Sequence, residues 1–168
     1  MYANEQHTLS VLVSNKAGVL SKVTALFARR GFNIESLAVG PTEDKNISRI
    51  TIIANGDDYI IEQLTKQLNK LIDVIKVKNL SNNDTVSKEL ALIKVTSVDA
   101  EKRKEILQMC EIYHCKVVDV SLDALIIEIT GTLDKVNAFI DICNNFGKLE
   151  VVRTGTVSIE RGSKTVEV

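Results

Sequence analysis

Histidine and cysteine are the first residues to consider for chemistry, because they supply many of the metal ligands and nucleophiles of proteins. The chain has two His and three Cys, and Cys110, His114 and Cys115 form a Cys-x3-His-Cys pattern. Structural zinc sites usually combine two short knuckles, whereas this chain has one short cluster. Cys110 shares a helical stripe with Ile106 and Leu107. We therefore interpret Cys110 as a packed thiol rather than a metal ligand or redox group.

Sequence motifs of catalysis are missing. The chain contains no phosphate loop ending in Gly-Lys-Ser/Thr, no Gly-x-Ser-x-Gly elbow and no His-Glu-x-x-His. His7 begins a predicted strand, and neither it nor His114 has a catalytic pattern around it. The sequence therefore predicts a protein that is not an enzyme by itself, with no catalytic residues and no cofactor or metal of its own.

Residues 15–19, Asn-Lys-Ala-Gly-Val, are the pattern best suited to binding a small ligand. They link a predicted strand to a predicted helix, whose first N–H groups lack partners within the helix and attract a carboxylate. Gly18 allows close approach to the backbone, and Asn15 offers a donor and an acceptor beside it. An amino acid has the complementary carboxylate and ammonium. From these residues alone, Gly18 could equally serve only a tight turn, and Asn33 could be a turn residue.

Composition limits the possible partners. Lys plus Arg (21) nearly balances Asp plus Glu (22), Trp is absent, and aromatic residues make up 4% of 168 residues. Nucleic-acid binders usually carry a basic excess and aromatic stacking residues, so none is expected. No apolar run approaches a membrane span, and the N-terminus has no signal-peptide pattern. The odd number of Cys fits reduced thiols. We expect a soluble, cytoplasmic protein without a nucleic-acid or membrane partner.

Hydrophobic periodicity predicts the same order of elements twice. The first half is predicted as strand 7–15, helix 19–30, strands 33–39 and 47–54, a helix carrying apolar residues from Ile60 to Ile72, and strand 74–80. The second is predicted as strand 90–97, helix 100–113, strands 116–121 and 124–130, helix 133–146, and a last strand within 149–160. Two βαββαβ domains follow, at residues 1–80 and 85–168, joined by a polar linker at 81–84.

Each half is predicted as an α+β, ferredoxin-like βαββαβ domain, an antiparallel sheet with both helices on one face. A single layer of helices leaves the other face and the edges of the sheet uncovered. The open face of the first sheet still carries Leu and Val, which favours self-association.

Several segments resemble one known family closely. They are Asn15-Lys16-Ala17-Gly18-Val19-Leu20, Arg30-Gly31-Phe32-Asn33-Ile34-Glu35-Ser36-Leu37, Gly40-Pro41-Thr42, Ser48-Arg49-Ile50-Thr51, Arg153-Thr154-Gly155-Thr156 and Glu160-Arg161-Gly162. This pattern is similar to that of the small regulatory subunits of acetolactate synthase (acetohydroxyacid synthase). The resemblance spans the whole chain, and the stretch from Arg30 to Leu37 is its most specific part.

The resemblance implies an N-terminal ACT regulatory domain followed by a ferredoxin-like domain. It also implies a homodimer through the ACT domain and feedback inhibition of branched-chain amino-acid synthesis by valine, or by leucine or isoleucine. The implied effector contacts are Asn15, Ala17, Gly18 and Val19, with Asn33 and Ile34 from the partner chain. Ala38 stands where many members carry Thr. A catalytic large subunit would be activated by this chain and would carry thiamine diphosphate, magnesium and FAD.

Three alternative functions differ in the features that they require. A free-standing ACT sensor of amino acids with a different target differs by not activating an acetolactate synthase. An RNA-binding domain of this topology needs aromatic residues exposed on its central strands, where we place Val11, Ile50 and Ile52 instead. An acylphosphatase-like enzyme needs Arg in the first strand–helix loop, which has Lys16.

Overall fold

The computed structural model of the chain describes residues 5–80, 85–163 and 165–166. These residues fold into two compact units. The elements in chain order are β1 (Glu5–Ser14), α1 (Val19–Arg29), β2 (Ile34–Pro41), β3 (Ile47–Gly56), α2 (Asp58–Leu68), β4 (Val74–Leu80), β5 (Thr85–Thr96), α3 (Ala100–Tyr113), β6 (Lys116–Val120), β7 (Ala124–Gly131), α4 (Leu133–Cys143), β8 (Lys148–Arg153) and β9 (Val157–Glu160).

The helices of the first unit begin and end where the sequence provides suitable residues. Asp57 caps α2, because its side chain accepts a hydrogen bond from the N–H of Ile60 at 2.7 Å. Gly31 follows the carboxyl end of α1 with a φ of 70°, a left-handed conformation that glycine adopts readily. Each helix buries one apolar stripe and leaves the opposite side in solvent.

The first sheet is antiparallel, with strand order β2-β3-β1-β4, and both helices lie on one of its faces. Strand alternation sends every second side chain of the central strands toward the helices. The core formed there consists of Leu9, Val11, Val13, Val19, Val23, Leu26, Phe27, Ile50, Ile52, Ala54, Ile61, Leu64, Leu68 and Val77.

The C-terminal residues 156–161, which we name the crossing segment, cover the other face of this sheet. The N–H of Thr156 donates to Ser36 Oγ on β2 at 2.9 Å, and Lys78 on β4 pairs with Glu160 at 2.5 Å. Because β2 and β4 are the two edge strands, the segment spans the whole sheet. Four strands are about 14 Å across, and four residues of extended chain cover about 13 Å. Leu12 and Ile53 on this face are buried.

Strand β9 within the crossing segment has an inverted pattern. Its inward positions are polar, with Ser158 buried and the Glu160 side chain only 9% exposed. Its outward positions are apolar, with Val157 54% and Ile159 58% exposed. Arg161 Nε extends the attachment by donating to the carbonyl of Thr85 at 3.1 Å. The segment is therefore held on the first sheet by hydrogen bonds and one ion pair.

The second unit repeats the architecture. Its sheet has the path β6-β7-β5-β8, and α3 and α4 are capped by the side chains of Asp99 and Thr132. Its core is formed by Ala91, Ile93, Val95, Val98, Ile106, Cys110, Leu125, Ile127, Ile129, Val136, Phe139 and Cys143. Arg153 on β8 forms an ion pair with the buried Glu89 on β5. The two units confirm the predicted α+β, ferredoxin-like fold.

Some local predictions were wrong. Ile72 lies in the turn after α2 and is fully exposed, because the helix ends at Leu68, and Leu107 is also exposed on α3. The predicted last strand is two strands, β8 and β9, separated by the positive φ of Gly155.

The face assigned to three central-strand residues also needs correction. Val11, Ile50 and Ile52 point to the helices and are fully buried, so they do not occupy the positions where an RNA-binding sheet would carry aromatic residues. The register places Ser10 and Thr51 opposite each other on the outer face instead. That face also lacks aromatic residues on β1 and β3.

The domain ranges 1–80 and 85–168 stay a prediction. The described residues of Met1–Val86 group with those of Thr156–Val168, and Ser87–Gly155 form the second unit. The predicted linker at 81–84 lies outside the described residues.

The crossing segment makes a prediction about stability. We expect Lys78→Met to lower the free energy of unfolding by about 1–3 kcal/mol, because the carboxylate of Glu160 would stay buried without its partner. The matched control is Lys66→Met on α2, whose exposed pair with Glu62 contributes less than about 0.5 kcal/mol. Urea unfolding followed by circular dichroism measures both. Equal small losses would show that the segment is not held by this pair.

Candidate functional site

The turn between β1 and α1 presents an uncapped helix start to solvent. Gly18 is the N-cap of α1, with a φ of 83° and a ψ of −8°, and no side chain caps the helix. A Cβ at this position would meet nothing within 4 Å, so the space beside the backbone is open. The first turn of α1 has no acidic residue. A carboxylate from outside can therefore approach the first N–H groups and the positive end of the helix dipole.

Asn15 holds the turn through two hydrogen bonds, and its side-chain oxygen remains available to a ligand. Its N–H donates to the carbonyl of Asn46 at 2.7 Å, and its Nδ2 donates to the carbonyl of Lys45 at 2.9 Å. Both bonds tie the β1–α1 turn to the β2–β3 turn. Oδ1 accepts no hydrogen bond within the described parts of the chain. This oxygen can accept from an ammonium placed beside the helix start.

Lys22 and Asp73 hold the start of α1 against the beginning of β4. Lys22 Nζ lies 2.7 Å from Asp73 Oδ2. The hydrogen bond from Lys22 holds the pKa of Asp73 below its ordinary value, and the charges of Lys22 and Lys16 act in the same direction. Helical periodicity alone does not predict this role of Lys22. The only signal was a cation in the first turn, where acidic residues are favoured.

Ala17, Gly18 and Val19 can contribute mainly backbone to a ligand. The Val19 side chain is buried in the core, whereas Ala17 is exposed. With Asn15, these residues present amide donors and one amide oxygen. That set is complementary to the carboxylate and ammonium of an amino acid.

Asn33 and Ile34 are not brought to this turn within one chain. They follow the carboxyl end of α1, and an 11-residue helix is about 16 Å long. Asn33 is exposed and Ile34 is half-buried against the core. A single copy of the chain therefore supplies one part of the predicted effector site at each end of α1.

Comparison with known proteins decides the family. Residues 9–76 match the family described as the AHAS small subunit-like ACT domain, and residues 88–162 match the small subunit of acetolactate synthase. An acetolactate synthase small subunit from Mycolicibacterium smegmatis is 50% identical over 160 residues, covering 95% of this chain and 94% of that protein. The chain belongs to the acetolactate synthase small subunit family.

Further relatives agree with this assignment. A Methanothermobacter thermautotrophicus protein named as an acetolactate synthase small subunit is 50% identical over 162 residues, covering 96% of each chain. The crystal structure of the acetolactate synthase small subunit from Thermotoga maritima matches with a TM-score of 0.87 and 45% identity, covering 95% of this chain and 99% of that one. As a family member, the chain is a regulatory subunit with an ACT domain, and its resemblance is confirmed.

The cysteines of this small subunit are packed groups. Cys110 and Cys143 are buried, Cys115 is half-buried, and all three are free thiols. Burial raises the pKa of Cys110, that of Cys115 to about 11 and that of Cys143 to about 12. His114 ends α3 in a left-handed conformation. The residues that the structure describes contain no group of three or more His, Cys, Asp or Glu that could hold a metal ion.

No helix among the described residues is long and apolar enough to cross a membrane.

The raised pKa values predict slow thiol chemistry in this small subunit. At pH 8, a thiol with a pKa of about 11 is ionised in only about one molecule in a thousand, whereas an unperturbed one is about a quarter ionised. We expect alkylation of Cys115 and Cys143 by iodoacetamide to be at least about a hundredfold slower in the folded protein than in 8 M urea, and that of Cys110 to be slower as well. Mass spectrometry assigns the modified sites. A cysteine that reacts equally fast in both states would contradict the packed-thiol interpretation.

Proposed function

We propose that this small subunit activates a catalytic subunit of acetolactate synthase and makes it sensitive to valine or another branched-chain amino acid. The observation that carries the proposal is the turn of residues 15–19. There an uncapped helix start, an open glycine and a free amide oxygen lie side by side on an exposed surface. The proposed effector contacts are Asn15, Ala17, Gly18 and Val19, completed by Asn33 and Ile34 of a second copy.

The edge strand β2 supports this pairing of copies. Among the described strands it has one neighbour in the first sheet, β3, so its other edge carries backbone groups that no described strand pairs. The register places Pro41, Ser48 and Val13 at one level, beside the effector turn. Ile34 lies at the opposite end of β2, level with Ala54.

A two-fold antiparallel pairing of two β2 strands would reverse these ends. The Ile34 end of one copy would then lie level with the Pro41 end of the other, which is the end that carries the Gly18 turn. This arrangement brings together the parts of the site that one chain holds about 16 Å apart. An effector that contacts both copies favours the paired geometry in which its site is complete.

Inhibition then follows from linkage. Valine can change the activity of a catalytic partner only as far as it binds more tightly to one pairing geometry of the ACT domains than to another. The chemistry belongs to the catalytic subunit, which we expect to carry thiamine diphosphate, magnesium and FAD. The role of this chain is to set which arrangement that subunit adopts.

The central test mixes the purified chain with the large subunit of an acetolactate synthase. We expect no acetolactate formation by the chain alone, faster formation by the mixture than by the large subunit alone, and inhibition of the mixture by valine. Thermal unfolding of the chain with a panel of amino acids gives an independent readout. A ligand at a hundred times its dissociation constant adds about 2.7 kcal/mol, which shifts the midpoint by several degrees.

The same experiment distinguishes the proposed function from the alternative one. A thermal shift with branched-chain amino acids but no effect on any large subunit would indicate a free-standing amino-acid sensor with a different target. Absence of both effects would overturn the proposal.

The effector turn makes a residue-specific prediction. Gly18→Asp should abolish valine inhibition while activation persists, because its carboxylate would occupy the open space and repel that of the effector. Gly18→Asn tests the effect of side-chain bulk without the negative charge. Asn also tolerates the left-handed conformation of this position. Gly162→Asp, at another open glycine with positive φ, controls for backbone strain and should leave inhibition unchanged. A Gly18→Asp variant that valine inhibits normally would remove this turn from the site.

A further inference from the structure

A cleft of about 470 Å³ in the ACT domain is lined by residues from the end of α1 and by residues at and after the end of α2. Its walls carry the side chains of two arginines and a lysine, and its other polar group is an amide. The lining residues are Leu26, Arg29, Arg30, Gln67, Lys70 and Leu71. Its volume lies within the range of known binding clefts, and none of its lining residues belongs to the effector turn.

The cations of this cleft have no acidic partners. No carboxylate within residues 5–80, 85–163 or 165–166 forms an ion pair with Arg29, Arg30 or Lys70. Elsewhere in the same unit, Lys22 and Lys78 are paired with carboxylates at 2.7 Å and 2.5 Å. The cleft therefore concentrates unpaired positive charge in a chain whose formal net charge is −1.

Helix dipoles do not account for this cluster. Cations near the carboxyl ends of helices are favoured, and each helix end carries about half a negative charge. Two such ends offset about one of the three positive charges in the cleft. The carboxylate nearest in sequence to Lys70, Asp73, is paired with Lys22 at 2.7 Å. Excess positive charge remains available to a partner.

The cleft also has an apolar part. Leu26 is buried in its floor, and Leu71 is partly buried against the core. Ile72 follows Leu71 in the turn to β4 and is fully exposed. An isolated phosphate or carboxylate ion would leave this isoleucine uncovered, and nucleic acid would find no aromatic side chain among the lining residues. Mixed cationic and apolar surface fits a protein segment with acidic and apolar side chains.

We propose that this basic cleft, together with the exposed Ile72 that follows its lining residue Leu71, docks an acidic segment of the catalytic subunit. The inference rests on the proposed function, because it assigns a surface to the partner named there. Carboxylates of the segment would pair with Arg29, Arg30 and Lys70, and an apolar side chain would cover Ile72. Arginine suits this role since its planar guanidinium can bind a carboxylate through two hydrogen bonds.

The test measures binding of the full-length chain to a complete large subunit by biolayer interferometry at 50 mM and 300 mM NaCl. The cleft variant is Arg29→Glu, Arg30→Glu and Lys70→Glu. The control variant is Lys104→Glu, Lys116→Glu and Lys148→Glu, which makes the same change in net charge at exposed cations of the second unit. We expect the cleft variant to bind at least about tenfold more weakly at 50 mM NaCl, and the control to bind like the wild type.

Ile72→Ser provides a test that does not depend on charge. Because Ile72 is fully exposed, the substitution should leave the fold intact and weaken binding about equally at both salt concentrations. The thermal shift with valine should persist in the cleft variant and in Ile72→Ser, which verifies that the effector turn and the fold are unaffected.

The outcomes separate this inference from the proposed function. If the wild type binds no large subunit, both fail. If the wild type binds and the cleft variant binds equally well, only the inference fails, and the docking surface lies elsewhere. Sedimentation of the chain alone tests whether a second copy of the chain occupies the cleft instead. A cleft variant that changes self-association but not binding to the large subunit would assign the cleft to contacts between copies and overturn the proposal.

Discussion

A four-stranded antiparallel sheet has two faces and two edges, and two helices can cover only one face. This constraint explains most of the first unit. Leu12 and Ile53 on the other face need cover that the βαββαβ repeat does not provide, and the crossing segment supplies it. The segment bonds to a side chain on each edge strand, Ser36 on β2 and Lys78 on β4. With both faces covered, the strand edges are the backbone surface of this sheet that is left for pairing among the described residues.

Helix α1 connects the surfaces to which we assign functions. Its first residue follows the open Gly18 turn, and its last residues, Arg29 and Arg30, line the basic cleft. Val23 and Phe27 pack the helix against the core of the sheet. The crossing segment is bonded to Ser36 on β2, so a change in the pairing of that edge would also reach the C-terminal residues. A compact ACT domain of this kind can link effector binding to partner docking through one packed helix.

Much of the fold could be predicted because it depends on local patterns. The alternation in β1, the stripe of α1 and the stop at Gly31 are encoded within a few residues and were placed within one or two positions. Predictions failed where the local structure depends on contacts between distant parts of the chain. Ile72 continues a helical spacing, yet α2 ends before it and leaves it in solvent. Val11 and Ser10 alternate correctly, but periodicity cannot tell which of the two faces the helices will cover.

The sequence by itself determined the repeated βαββαβ order and the packed thiol of Cys110, and it predicts ligand binding at residues 15–19, because these follow from spacing and residue type. Tertiary structure decided three other features. It pairs Glu160 with Lys78, which lies 82 residues away in the sequence. It directs Asn15 Nδ2 to the carbonyl of Lys45 and leaves Oδ1 without a partner among the described residues. It also brings Arg29, Arg30 and Lys70 to one cleft. Each of these depends on contacts between distant segments. Such contacts form only when the sheet has brought the segments together, so no local pattern records them.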